Sequence, residues 1–380
     1  MRCMGLTIYE TALPLRQPFQ ISGGVVANPS LGAPHIYVRI ESDEGVVGWG
    51  EARPSHRWSY ETAESVFTTL RDYLAPVIVG AEIDDAELVR KSMERVIAKG
   101  ITTGQPIAKA AVDTAIHDLL ARSVGRPMSF LWGRRPPSNI SLSYLITTED
   151  PAELERKVAS ARAEGFHGVD VKLGFGLSTD LALIEALEPH VAGLFVRVDA
   201  NQGYSLSEAR TIGRRLARLG ANVFEQPLQA DDLHGHAQLR RLVDVPIALD
   251  ESIWTAAGVA EASRREACDA VVVKLTKMGG PSGAKLAGDV ARACGLDVLG
   301  GGLTESTIGL AASAMVFDAI GIQRPVDLNG PFFLADDPVT PKGRIADGVY
   351  HLPAGEGLGC VIDEERIAPW TRQTYRLSGN

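Results

Sequence analysis

Cysteine is scarce: Cys3, Cys268, Cys294 and Cys360 are scattered over 380 residues with no Cys-x-x-Cys pair, which argues against a disulfide framework or a thiolate zinc site. Long apolar runs are missing as well, and none approaches the roughly 18 residues of a membrane span. Met1-Arg2-Cys3-Met4-Gly5 leads into a polar-punctuated strand pattern rather than a signal peptide. Reduced thiols in a cytoplasmic chain are therefore expected. Basic residues are outnumbered, 38 Lys and Arg against 47 Asp and Glu, for a net charge of −9. That balance argues against a general nucleic-acid or anionic-membrane surface and for a small-molecule partner. No Gly-x-Gly-x-x-Gly follows the early apolar runs, which weakens the case for an open dinucleotide-binding sheet.

What remains is the composition of an ordinary globular enzyme, 45 % apolar and 22 % charged. Residues 6 to 52 alternate as antiparallel strands, with an Asp43-Glu44-Gly45 turn between two of them. From 60 to 133 the period becomes helical: Ala63, Val66, Phe67 and Leu70 form one stripe, and Ile107, Ala111, Ala115, Ile116 and Leu119 another. Strands followed by helices predict a separate α+β domain. Beyond Pro136-Pro137 short apolar runs recur at 141–146, 169–173, 195–198, 223–224, 247–249, 270–275, 297–299 and 325–328, most of them separated by amphipathic helices. Eight strands alternating with helices predict a (β/α) barrel. The expected division is 1–133 for the first domain, 134–350 for the barrel and 351–380 for a segment returning to the first domain.

Three acids stand just past apolar runs: Asp199 in Val198-Asp199-Ala200-Asn201, Glu225 in Phe224-Glu225-Gln226-Pro227, and Asp250 in Leu249-Asp250-Glu251-Ser252. In a barrel these positions project from the C-terminal ends of strands three, four and five, where active sites lie. Any one of them alone reads as a helix N-cap. Three in successive units point instead to a hard cation held by oxygen, for which Mg²⁺ fits, with Mn²⁺ as the alternative. Two lysines, Lys172 and Lys274, end strands two and six on either side of this triplet. A single lysine in an apolar run reads equally as a snorkelling side chain; two flanking the acids read as proton-transfer groups, with burial and a nearby cation lowering their pKa. The divalent cation would stabilise the enediolate formed when a carbon beside a carboxylate loses its proton.

These words together resemble the enolase superfamily, in its muconate-lactonizing-enzyme branch, over nearly the whole chain. The resemblance implies a modified (β/α)₇β TIM barrel under an N-terminal α+β capping domain, a homo-oligomer, and a small carboxylate substrate. It assigns Asp199, Glu225 and Asp250 to Mg²⁺, Lys274 to the base of the sixth strand and Lys172 to the second lysine of a Lys-x-Lys motif. It also carries Glu305 of Gly301-Gly302-Leu303-Thr304-Glu305-Ser306 toward the site, with Asn201 and Glu251 from the strand-end words. Asp170 departs from the pattern, standing where the first lysine is expected. It suggests a substrate amine, seconded by Asp327 and Asn329 in Asp327-Leu328-Asn329; the alternative is that Asp170 points away or pairs with another side chain. Two cap loops, at 19–29 with Ser22-Gly23-Gly24 and at 53–60 with Arg53, His56, Arg57, Trp58 and Tyr60, are expected to set specificity. The expected activity is racemisation or epimerisation of an amino-acid derivative. Dehydration and muconate-type cycloisomerisation are the alternatives, and a non-catalytic binding barrel the third reading.

Overall fold

The computed structural model describes residues 1–21, 24–137 and 139–379. The early alternation produces β1 (Cys3–Leu13), β2 (Ala33–Ser42) and β3 (Val47–Ala52), paired antiparallel in that order. The C-terminal strand Thr371–Ser378 pairs with the free side of β1, from Gly5 opposite Ser378 to Thr11 opposite Thr371. One face of this sheet, with Leu6, Ile8, Ile36, Val38 and Ile40, shares a core with helices α1 (Ala63–Thr69), α2 (Ala86–Val96) and α3 (Pro106–Ser123). The approach of β3 to α3 is close enough to require glycine: a Cβ on Gly50 would sit 1.9 Å from the Ala111 carbonyl oxygen.

Helix α3 begins at Pro106 with no side-chain cap of its own. Glu61, in the loop before α1, supplies the cap, both carboxylate oxygens accepting the Ile107 N–H at 2.8 Å. Burial drives the Glu61 pKa up to about 8 against these bonds. A carboxyl raised on folding stabilises the fold most below its unfolded value, and that contribution is lost as pH rises through the folded value. The unfolding free energy from urea titration should therefore fall between about pH 4.5 and 8, by up to about 1.4 kcal/mol per pH unit for this group. Glu61→Gln should flatten that dependence, and an unchanged slope would show that Glu61 is ionised in the folded state.

The second unit is a parallel sheet of seven strands in sequence order: β4 (Ser143–Ile146), β5 (Gly168–Lys172), β6 (Phe195–Asp199), β7 (Val223–Glu225), β8 (Ile247–Leu249), β9 (Ala270–Val273) and β10 (Asp297–Gly300). Helices α4 (Pro151–Ala163), α5 (Leu177–Leu187), α6 (Leu206–Leu219), α7 (Leu233–Arg240), α8 (Ala256–Arg264), α9 (Pro281–Ala293) and α10 (Thr307–Ile320) follow the strands. Local signals set their limits, as in α6, where Ser205 and Glu208 form a capping box and Gly220 ends the helix.

The expected eighth strand at 325–328 is not a full strand. Val326 bridges Leu142 and Asp327 bridges Gly301, both in parallel sense, so this short stretch touches both edges of the sheet and closes the barrel. Pro325 has no N–H to contribute to a longer ladder.

Strand parity then places the polar residues. Val223, Ala248, Ala270, Val272 and Leu299 form a small apolar cluster separate from the large one that includes Phe224, Leu249, Val271 and Val273. Successive side chains alternate between faces, so the small cluster is the barrel interior. Two residues further along the same strands stand Glu225, Asp250, Lys274 and Gly301, on the interior side at the C-terminal mouth. Among the described residues no helix is long and apolar enough to cross a membrane.

Candidate active site

Lys172, Asp199 and Glu225 are the last residues of β5, β6 and β7, while Asp250 and Lys274 come one residue after β8 and β9. All five are buried. Lys172 Nζ lies 2.7 Å from Asp199 Oδ2, 3.7 Å from Asp170 and 3.8 Å from Asp327. Across the mouth, Lys274 Nζ donates to Asp250 Oδ2 at 2.7 Å. Glu225 Oε2 accepts from Arg197, whose Nε also faces Asp170 Oδ2 at 3.4 Å. Among the described residues, no three Asp, Glu, His or Cys side chains converge into a ready-made metal cage. Each of the three strand-end carboxylates is instead held by a cation of its own: Asp199 by Lys172, Glu225 by Arg197 and Asp250 by Lys274.

The same pairing governs the two lysines. Burial alone depresses Lys172, but Asp170, Asp199 and Asp327 outweigh it and hold the ammonium well above the ordinary lysine range. Lys274 is also raised, burial being overcome chiefly by Asp250 with help from Glu225 and Glu251. Burial brings Glu225 up to about 6, partly opposed by Arg197. For Asp327, burial is outweighed by Lys172 and Arg197, and the carboxyl is lowered.

A tight cavity of about 20 Å³ lies between the two lysines, lined by Lys172, Asp199, Asn201, Lys274, Asp327 and Asn329, with Trp58 and Ile21 reaching it from the cap. An outer cavity of about 330 Å³ shares Ile21, Trp58 and Asn201 with it and adds Arg57, Gln202, Gln229 and Glu251. Asn329 donates to Asp327 Oδ1 at 2.9 Å, and Asn201 to Glu251 Oε1 at 3.0 Å. Glu305 lines neither cavity. It accepts from Thr276 Oγ1 at 3.0 Å and from the Leu303 N–H at 2.7 Å, and borders a separate cavity of about 140 Å³.

Residues 3–133 match the mandelate racemase / muconate lactonizing enzyme N-terminal domain, and residues 153–366 match the enolase C-terminal domain-like family. The chain belongs to the mandelate racemase / muconate lactonizing enzyme family. Within it, the chain is 30 % identical to the N-succinyl-L-Arg/Lys racemase of Bacillus cereus, covering 98 % of each. The crystal structure of that racemase superposes with a TM-score of 0.92, at 29 % identity over 99 % of this chain and 100 % of that one. Muconate cycloisomerase 1-2 of Acinetobacter lwoffii is 32 % identical over 90 % of this chain and 89 % of its own. A dipeptide epimerase of Enterococcus faecalis, solved with Mg and the dipeptide L-Leu-L-Tyr, is 26 % identical over 95 % of this chain and 99 % of that one, with a TM-score of 0.88. These relatives are isomerases, and this member of the family is an enzyme of the same superfamily, which disposes of the non-catalytic reading.

In this family member Asp170 is fully buried, directly opposite Arg197 in the β5–β6 register, and it does not line the cavity between the lysines. The suggestion that it pairs with a substrate amine is therefore replaced by a contact within the protein. Arg53, expected as a loop contact for substrate, is also fully buried and donates to Thr304 Oγ1 at 3.0 Å. His56 is exposed, and Ser22 and Gly23 lie outside the described residues.

Three functional side chains escaped the sequence reading. Arg197 spans the barrel interior to donate to the Gly300 carbonyl at 3.0 Å. Lys277 holds Asp250 through Oδ1 and the carbonyl oxygen, both at 2.6 Å. Gln226 accepts the Asp250 N–H at 2.8 Å while donating to Ser252 Oγ at 2.8 Å. The signals were present: a charged residue two before Asp199, a second lysine three after Lys274, and the Gln of the Glu-Gln-Pro word. Asn201, Gln202, Gln226 and Thr304, all at this mouth, adopt positive φ, a backbone strain that gathers at functional sites.

Gly301 makes room for the Lys274 stem, since a Cβ there would lie 2.9 Å from Lys274 Cε. Gly301→Ala should displace that ammonium and, with Lys274 as a proton carrier, slow turnover by about 100-fold. Circular dichroism should remain that of the wild type. Unaltered turnover would mean that Lys274 reaches its working position by another path.

Proposed function

We propose that this protein removes and returns the proton on the carbon beside a carboxylate, with Lys172 and Lys274 as the two proton carriers, and that it racemises or epimerises an amino-acid derivative. The observation that carries this reading is that two buried ammonium groups, anchored on opposite flanks of one arc of carboxylates, face the same small cavity. Lys172 would serve one face of the carbon and Lys274 the other. Asp327 and Asn329 would orient the substituent that projects toward the closing segment of the barrel. The similarity to a racemase of N-succinylated amino acids and to a dipeptide epimerase supports an N-acylated α-amino acid as the substrate class.

The donor set fits Mg²⁺, with Mn²⁺ as the alternative: Asp199, Glu225 and Asp250 offer only oxygen, and Glu225 Oε1 is buried with no hydrogen-bond partner among the described residues. These three residues would hold the cation in competition with Lys172 and Lys274. When bound, it would supply positive charge against the developing enediolate. Arg197, at the floor, would keep Glu225 oriented through the reaction. The cavity between the lysines is far smaller than the several hundred Å³ of ordinary ligand sites, so the bulk of the substrate would lie in the outer cavity, with which it shares Ile21, Trp58 and Asn201.

Cycloisomerisation is the second reading, favoured by the 32 % identity to a muconate cycloisomerase. In that case one lysine does the chemistry and the other stays a cation. Incubation in D₂O with Mg²⁺ and pools of N-acyl amino acids, dipeptides, hydroxy acids and muconates, followed by ¹H NMR and polarimetry, separates the two. Deuterium at Cα with loss of optical rotation is the expected result. Exchange with full retention of configuration, or turnover of muconates alone, would overturn the racemase reading.

A further inference from the structure

The proton-transfer scheme leaves unused a contact between the cap and the barrel. Trp58, from the loop after β3, places its ring centroid 4.4 Å from Lys274 Nζ. Trp254, in the loop after β8, packs on Trp58 with centroids 5.6 Å apart and is itself fixed by a 2.6 Å bond from its Nε1 to the Glu251 carbonyl. Tyr60 packs against Trp254 with centroids 5.5 Å apart and rings tilted by 37°, so Trp58 lies between the lysine and an anchored aromatic pair. Trp58 borders both the inner and the outer cavity. Its indole N–H is buried and finds no acceptor among the described residues.

A buried donor without an acceptor costs free energy unless a ligand supplies the oxygen. The position of this donor says which oxygen. A carbon within reach of Lys274 Nζ lies beside the Trp58 ring, and a substituent leaving that carbon for the outer cavity passes the indole. The outer cavity is polar, with Arg57, Asn201, Gln202, Gln229 and Glu251 on its walls, and is large enough for an acyl arm. An amide on the α-nitrogen carries a carbonyl oxygen at that point of the path, whereas a free ammonium carries none.

We propose that Trp58 contacts the substrate and does two things: its ring face keeps the Lys274 side chain turned toward the cavity, and its indole N–H donates to the acyl carbonyl of an N-acylated amino acid. The first follows from the attraction of an ammonium to an aromatic face, strongest for tryptophan. This inference rests on the proposed role of Lys274 and deepens it by naming the group that recognises the acyl arm.

The test compares Trp58→Phe, which retains a ring face and loses the N–H, with Trp58→Leu, which loses both. The first readout is binding by isothermal titration calorimetry to the full chain with Mg²⁺, titrated with N-acetyl amino acids and with the free amino acids. The wild type should respond to the acetylated set only, and Trp58→Phe should lose most of that response. The second is α-proton exchange: Trp58→Phe should raise KM for acetylated substrates about tenfold, the worth of one hydrogen bond, with kcat little changed. Trp58→Leu should lower kcat about tenfold as well. Equal binding responses in wild type and Trp58→Phe, or no wild-type response to any acetylated amino acid, would overturn the contact. Unchanged kcat in Trp58→Leu would overturn the positioning role. A response lost in Trp58→Phe without exchange in any pool would refute the proton-transfer reading and leave the acyl contact standing.

Discussion

Lys274→Ala is expected to lower α-proton exchange by about 10²–10⁴-fold, the ordinary contribution of a positioned acid or base, while the protein stays folded. The fold should survive because Asp250, which loses its 2.7 Å partner, keeps Lys277 on its other oxygen at 2.6 Å. Lys277→Ala provides the contrast. It deprives both Asp250 Oδ1 and the Asp250 carbonyl of their donor, so its first effect should be on stability, by about 1–3 kcal/mol. Exchange measured by NMR beside urea unfolding resolves the two. If Lys274→Ala exchanged at the wild-type rate, the assignment of this lysine to proton transfer would fail.

Arg197→Met should be the most destabilising single change in the barrel interior, at about 3–5 kcal/mol, because it strands buried charges. Arg197 is fully buried, bonds Glu225, faces Asp170 at 3.4 Å and donates to the Gly300 carbonyl on the far side of the barrel. Asp170→Asn should cost much less, since Arg197 retains Glu225 and Lys172 retains Asp199 at 2.7 Å. Because Asp170 and Arg197 are direct cross-strand partners, Asp170→Leu combined with Arg197→Met should cost less than the sum of the two single changes. Urea midpoints of the four proteins form the cycle. Strict additivity would show that the pair is not coupled.

Much of the architecture was legible because it is written in local periodicity. Apolar runs spaced by amphipathic helices announced the barrel, and seven of the eight predicted runs are ladder strands. The eighth contributes only bridges, a matter of hydrogen-bond supply that apolarity does not reveal. Asp199, Glu225, Asp250, Lys172 and Lys274 could be read because each follows an apolar run, which in a barrel means the open end. Arg197 and Lys277 could not, since a charge within or just beyond a strand announces its cost of burial without naming its partner. Asp170 stands out by its type, but the choice between a substrate amine and a protein partner could not be made from sequence, because the arginine opposite it is set by the β5–β6 register rather than by sequence distance.

By itself the amino-acid sequence determined the succession of strands and helices, the acids and lysines brought to the barrel mouth, and the absence of cysteine or histidine in that set. These follow from spacing and side-chain chemistry, which act over a few residues. Tertiary structure alone decided that each carboxylate is held by its own cation, that the lysines stand above rather than below their ordinary pKa, and that Trp58 of the cap covers Lys274 of the barrel. Charges interact through the low-dielectric interior according to distance in space, and Lys274 and the Trp58 that covers it are 216 positions apart along the chain.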